Sequence, residues 1–280
     1  MTSFGPDMPP FAELAPGVRR IVAPNPSMMT GPGTNTYLFG KEQIAVLDPG
    51  PNLPVHLANI RARAAAPIRW IIVTHTHPDH SPGAAPLADI CGAELIGMAA
   101  PDGDHQDATF TPDRVLGDGD MIASDEFSLQ AIHTPGHASN HFCFHDLERD
   151  WIFSGDHVID GSTVVIDPPD GDMSEYLRSL HRLRDLHAAA IAPGHGELIA
   201  NPAEVIDWIV EHRLQREATV FATVRQHAGL GLADLVRLVY VDVAESLYPL
   251  AERSLLAHLL KLQNDGRCRQ RDGSWSALSA

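Results

Sequence analysis

The chain has no long hydrophobic run, few cysteines, few aromatic residues and few positive charges. No segment approaches the roughly 18 consecutive apolar residues of a membrane span, so no membrane helix is expected. Cys91, Cys143 and Cys268 are the only cysteines in 280 residues, an odd number without metal-type spacing. A disulfide framework is therefore not expected, and a reducing cytoplasm is. The opening stretch MTSFGPDMPPFAEL lacks a basic segment followed by an apolar one, so it predicts no secretory signal. Lys and Arg number 20 against 36 Asp and Glu, a formal net charge of -16 at pH 7. The imbalance is uneven: residues 1–200 carry -15 and residues 201–280 carry -1. A field of that sign repels polyanions and attracts cations, and it also serves solubility.

What is present is a well-supplied core, with 44% hydrophobic residues. A chain of this length can bury roughly three quarters of its unfolded surface. Over the first 200 residues short apolar runs alternate with Gly/Pro turns. TNTYLFG and QIAVLDPG read as paired strands. IRWIIVTH reads as a fully buried strand. FSLQAIHTPG, HFCFHD, WIFSGD and AAAIAPGHG are further strands. DMSEYLRSLHRLRDLH places Tyr176, Leu180, Leu183 and Leu186 on one helical face, with Asp172 or Ser174 as N-cap. Mixed strands and helices argue an α/β layered domain over residues 1–200. Near Asn201 the texture changes. Asn201, Pro202 and Glu204 form a helix-start pattern. Two further helical stretches follow, then GRCRQRDGSWSAL, a hairpin turning at Asp272-Gly273. Three helices and a hairpin predict a small winged-helix-like domain over residues 201–280.

Histidine is where the chemistry gathers. VTHTHPDHSPG, residues 73–83, follows an apolar run and holds His75, His77, Asp79 and His80. If the chain is still extended at His75 and His77, both imidazoles point one way and can share a cation. Pro78 ends the extended run and turns Asp79 and His80 elsewhere, so the spacing can serve two cations. HTPGH ends at His137, FSGDH contains Asp156 and APGHG contains His195. Each follows a β-like run in a Gly-containing turn, where α/β folds gather their sites. Five His and two Asp without Cys suit Zn²⁺, with Fe or Mn as alternatives. Seven donors exceed one tetrahedral site but fit two metals with a carboxylate between them.

These motifs resemble the metallo-β-lactamase superfamily, whose signature is H-x-H-x-D-H followed by His, Asp and His. GPGTNTYLFG, VLDPGP and EHRLQRE further resemble its β-lactamase-like protein 2 group, which carries a C-terminal winged-helix module. The resemblance covers nearly the whole chain. It implies a four-layer αβ/βα sandwich followed by the small winged-helix-like domain. It implies that His75, His77 and His137 bind a first Zn²⁺, that Asp79, His80 and His195 bind a second, and that Asp156 bridges them. It assigns His157, next to the bridge, no metal, and His133 is a further neighbour of a ligand. Asp48 in LDPG resembles the family's structural aspartate, orienting a ligand loop, or is an ordinary turn-former. His141 either contacts substrate or leaving group, or is a packed neutral histidine. Arg267, Arg269 and Arg271 share one strand face, a phosphate site or a solvated wing.

Two cations of this kind hold a hydroxide between them at neutral pH. The expected reaction is its attack on an electrophilic carbonyl or phosphorus, with Asp79 as the catalytic residue holding it in line. A small thioester, ester or lactone is the favoured substrate, because the catalytic part is acidic. An endoribonuclease acting on single-stranded RNA is the alternative, since the resembling group includes one. Against it, nucleic-acid binding draws on Lys and Arg. A β-lactamase comes third. A DNA-binding module with the metal domain as sensor comes last, because residues 201–280 have no basic footprint.

Overall fold

The computed structural model describes residues 8–278. The expectation about a leader falls on residues 1–14, of which 1–7 lie outside the described residues. The first sheet runs β1 (Phe11–Ala15), β2 (Val18–Val22), β3 (Asn35–Phe39), β4 (Ile44–Leu47), β5 (Ile68–Ile72), β6 (Glu94–Gly97) and β7 (Arg114–Val115), in that spatial order. The second holds β8 (Met121–Ala123), β9 (Ser128–His133), β10 (Phe142–Asp146), β11 (Trp151–Gly155) and β12 (Ala190–Pro193). Pairing is antiparallel from β1 to β4 and parallel from β4 to β7; β11 and β12 are also parallel.

Side-chain alternation assigns each strand face to a layer. In β3, Tyr37 and Phe39 point between the sheets while Leu38 points outward. In β10, Phe142 and Phe144 point inward and Cys143 outward. The aromatic seam between the sheets is tight: Phe153 meets Tyr37 at 4.9 Å and Phe39 at 4.7 Å, edge to face. Helices α1 (Pro54–Ala64) and α2 (Ala84–Cys91) cover the first sheet, and α3 (Met173–Asp185) covers the second. The result is the expected α/β sandwich of four layers.

Each expected strand forms. Burial on β5 is complete only from Ile71 onward; Arg69 is exposed and Trp70 packs edge-on against Phe127 at 5.7 Å. Asp172, not Ser174, caps α3, accepting from the Ser174 and Glu175 N–H groups. Leu186 lies one residue past that helix but packs with Tyr176, Leu180 and Leu183. The three cysteines are free. No described helix is long and apolar enough to cross a membrane.

The C-terminal part comprises α4 (Pro202–Gln226), β13 (Leu230–Gly231), α5 (Leu232–Val239), α6 (Tyr248–Asn264) and the hairpin β14 (Cys268–Arg271) and β15 (Ser274–Ala277). Asn201 occupies the cap position and Pro202 the first turn, but the Asn201 side chain makes no capping hydrogen bond. Helix α4 serves two cores: Ile206 and Ile209 pack with α3, while Val220 and Val224 pack with Leu235, Leu259 and Trp275. The hairpin turns where expected, with positive φ at Asp272 (50°) and Gly273 (78°), as a tight two-residue turn requires. The three-arginine face does not form. Arg267 precedes the strand, lies over Phe221 at 4.1 Å and faces Glu217 at 3.5 Å, while Arg269 and Arg271 are exposed on β14.

His258 on α6 is fully buried, and neither ring nitrogen has a hydrogen-bond partner. Burial, then the nearby charges of Arg213, Arg216, Lys261 and His212, hold it well below the usual histidine value of 6.5. Below pH 6.5 the unfolded chain takes up a proton that the folded chain refuses, so stability falls with acidification. A His258→Leu variant should show a shallower fall between pH 7 and pH 5 in denaturant titrations. Parallel curves for wild type and variant would contradict this.

Candidate metal centre

The seven donors all leave from the C-terminal ends of strands. β5 leads to His75, His77, Asp79 and His80; β9 to His137; β11 to Asp156; β12 to His195. They fall into two groups whose ligand atoms lie within 4.8 Å of one another: His75, His77, His137 and Asp156, and Asp79, His80 and His195. His77 Nδ1 is 2.9 Å from both His75 Nε2 and His137 Nε2. Asp156 faces both groups. Its Oδ1 is 3.3 Å from His80 Nε2 and 3.2 Å from His195 Nε2, and its Oδ2 is 3.6 Å from His137 Nε2.

The far side of four of the five rings is tied down. His80 Nδ1 donates to Asp48 Oδ2 at 2.9 Å, His137 Nδ1 to the Val165 carbonyl at 2.9 Å and His195 Nδ1 to the Gly33 carbonyl at 3.2 Å. Thr74 Oγ1 donates to Asp48 Oδ2 at 2.8 Å, so it accepts from His75 Nδ1 at 2.9 Å. In these four rings Nδ1 is engaged on the outer side and Nε2 is turned to the centre. His80 Nε2 and Asp156 Oδ1 are buried without any hydrogen-bond partner. Converging ring nitrogens and carboxylate oxygens, two of them buried without a partner, are a donor set that divalent cations satisfy.

Electrostatics agree. Burial opposes charge on His195, but the Asp156 and Asp79 carboxylates prevail and raise it to about 10. Burial would raise Asp156, yet His195 and His80 hold it well below the usual carboxylate range. His77 is lowered to about 3, by burial first and then by His137. The carboxylates thus favour positive charge on His80 and His195 of the second group, while His75, His77 and His137 of the first are held below the usual histidine value.

Asp79 is the open member of its group, with its side chain 24% exposed against 0% for His80 and 2% for His195. Thr34 Oγ1 donates to its Oδ2 at 2.8 Å. Asp48, at φ +50°, braces the His75–His80 loop through Thr74 N–H and His80. His141 is fully buried: Thr134 Oγ1 lies 2.9 Å from its Nδ1, and its Nε2 accepts from the Asp156 N–H at 3.2 Å. It supports the Asp156 backbone. His133 bonds the Ser139 carbonyl, and His157 packs on Tyr176 at 4.7 Å; neither joins the cluster.

Sequence reasoning assigned no role to Thr34, Thr74 or Arg253. A cavity of about 270 Å³ opens over the centre, lined among others by Met29, Asp79, Asp167 and Arg253. It adjoins one of about 340 Å³ walled by Asp102, Asp104, Asp167 and Asp170. Arg253 comes from α6 and meets Asp167 at 3.0 Å.

Residues 29–195 match the family model described as "Metallo-beta-lactamase superfamily". The chain belongs to the metallo-β-lactamase superfamily. Residues 232–275 match a "Beta-lactamase associated winged helix domain". The "Beta-lactamase-like protein 2 homolog" of Drosophila melanogaster is 32% identical, over 94% of this chain and 93% of its own length. The "Atrochrysone carboxyl ACP thioesterase" of Aspergillus chevalieri is 31% identical, over 93% of this chain and 85% of its own. The crystal structure of a "Beta-lactamase domain protein" from Burkholderia ambifaria shares the fold, with a TM-score of 0.83 at 21% identity over 98% of this chain and 96% of that one. This superfamily member is a hydrolase, and its His/Asp groups are able to bind metal ions.

Gly194 sits where a Cβ would come within 2.6 Å of Asp156 Oδ1 and 2.9 Å of the Gly155 carbonyl. Gly194→Ala should lower metal affinity by about 10-fold or more while the chain stays folded. Gly117→Ala, whose Cβ meets nothing nearer than 3.5 Å, is the control. Equal metal content after dialysis of the two variants against chelator would refute the constraint.

Proposed function

We propose that this chain is a binuclear zinc-dependent hydrolase of a small thioester, ester or lactone, with thioesters first. The observation that carries the reading is Asp156, one oxygen turned to each donor group. His75, His77 and His137 would hold one cation; Asp79, His80 and His195 the other; Asp156 would serve both. When bound, such a pair supplies Lewis acidity and a water activated at neutral pH.

The chain's own residues do the rest. Asp79, with Oδ2 already engaged by Thr34, has Oδ1 left to accept a hydrogen bond and orient the attacking water. No free acid stands ready for a leaving group: His141 and His157 are buried behind the centre. A thiolate departs without a proton donor and an amine does not, which favours thioesters over amides and lactams. The kinship with a protein named as a thioesterase supports the same choice. The acidic wall of Asp102, Asp104, Asp167 and Asp170 opposes a polyanion and leaves a neutral acyl substrate unaffected, so single-stranded RNA ranks second. Residues 1–200 are read as the catalytic domain and 201–280 as a winged-helix-like domain that shapes the entrance through Arg253. The three free cysteines fit a cytoplasmic setting.

Elemental analysis should find close to two metal ions per chain, mostly zinc. A hydrolysis panel of thioesters, lactones, nitrocefin and single-stranded RNA should show thioester turnover with almost no salt dependence. Asp79→Asn should lower kcat/KM by about 100-fold or more. RNA cleavage at physiological salt without thioesterase, esterase or lactonase activity would overturn the ranking. Trace metal after zinc reconstitution would overturn the binuclear reading.

A further inference from the structure

A second cavity, of about 450 Å³, lies between residues 161–165 and the helices α4 and α6. None of the seven donors lines it; Val165 is a wall of both this cavity and the one over the centre. Its volume is in the range of small-ligand pockets, roughly 300–1,000 Å³. Its chemistry differs from the rest of the molecule. In a chain of net charge -16 it is lined by two arginines, Arg213 and Arg216, and one carboxylate, Asp242. Asp242 is already bound to Arg216 at 3.0 Å.

Arg213 is the decisive residue. It is 4% exposed. Its guanidinium donates to the Val164 carbonyl and lies 5.5 Å from the centre of the Tyr176 ring. Both partners are neutral. Its Nε is buried with no hydrogen-bond partner, and among the described residues no ion pair joins Arg213 to a carboxylate. A guanidinium cannot shed its proton, and a buried charge without a counter-charge is costly. Arg20, buried to 1% exposure, shows the usual remedy: it meets Glu197 at 2.6 Å.

Beside Arg213 the wall is apolar and aromatic. Trp208 stacks on His212, with ring centres 5.6 Å apart and planes 26° from parallel. Trp208 is 49% exposed at the rim. His212 Nδ1 is a second buried atom without a partner. Val243, Leu247 and Leu250 complete the wall.

We propose that this cavity is a second ligand site, taking a small planar organic anion. Its carboxylate pairs with Arg213, and its ring lies between the Trp208–His212 stack and Val243, Leu247 and Leu250. Charge is supplied where the fold leaves a cation uncompensated, and apolar area where the fold leaves aliphatic side chains facing a void.

The probe is 2-naphthoate, compared with its neutral isostere 2-naphthamide, on the metal-loaded full chain by titration calorimetry. The acid should bind once per chain and about 10-fold tighter than the amide, since only the acid forms a charge-assisted pair. Arg213→Gln removes that pair directly. Because Arg213 is buried, the rim variant Trp208→Ala provides a test that leaves the core intact, and it should weaken 2-naphthoate by about 5-fold or more. Equal affinity for acid and amide overturns the proposal, as does the absence of saturable binding below roughly 1 mM. Full affinity in Trp208→Ala places the anion elsewhere, for instance on the metals, and overturns it too.

Discussion

The structure is organised around two groups of imidazole and carboxylate donor atoms, each gathered within 4.8 Å. His77 Nδ1 faces two other ring nitrogens at 2.9 Å, and Asp156 Oδ1 faces two more at 3.2–3.3 Å. Side chains free to rotate would relax apart. They are held because four of the five rings are bonded on their outer side, to Asp48, Thr74, and the carbonyls of Val165 and Gly33. In a dry interior such bonds are strong, and their loss is correspondingly expensive. The strands supply the stiffness, since the donors follow closely on residues that are hydrogen-bonded in a sheet.

Close approach is the second consequence. Gly136 lies against the first turn of α3, where a Cβ would come within 2.3 Å of Tyr176 Cα. At Gly155 it would come within 2.8 Å of His141 Nε2. These contacts bring the Gly136 backbone against the α3 backbone and the Gly155 backbone against the His141 and Thr74 side chains, so that α3, the loop ending at His137 and the loop holding Asp156 form one packed unit. Tyr176 closes it by donating to the His157 carbonyl at 3.0 Å. Helix α4 extends that unit to the C-terminal core through Ile206 and Ile209 at one end and Val220 and Val224 at the other. A helix buried in two cores couples them mechanically, which explains how α6 can deliver Arg253 to the entrance at a fixed position.

Much of this was legible in the chain itself. Spacing of two after an apolar run was enough to bring His75 and His77 together, because direction along an extended backbone is a local property. Gly-containing turns after strands marked His137, Asp156 and His195 for the same reason. What escaped was set by partners distant in sequence. Thr34 meets Asp79 across 45 positions and Arg253 meets Asp167 across 86, and no local signal announces either. His141, which the sequence leaves as either a substrate contact or a packed neutral histidine, takes its Asp156 N–H partner from 15 positions away. The arginine face was inferred from strand alternation, but Arg267 lies outside the strand and is engaged by Glu217 and Phe221. The Asn201 cap followed residue preference, and the helix start forms without the side-chain bond that gives the preference its usual basis.

Charge ties the two halves of the argument together. Most of the net negative charge resides in residues 1–200, and four of its carboxylates wall the cavity beside the centre. An acidic rim beside a cluster of imidazole and carboxylate donors attracts divalent cations towards them. The same rim opposes an approaching polyanion, because each phosphate must pass carboxylates before reaching the donor cluster. Arg253 relieves little of this, being already paired with Asp167. On the other side of Val165 the balance reverses, with Arg213 buried among neutral groups. One short segment therefore divides a cavity suited to cations and neutral acyl groups from a cavity suited to an anion. That separation of opposite potentials across a single wall requires both the catalytic layers and α4 to be in place.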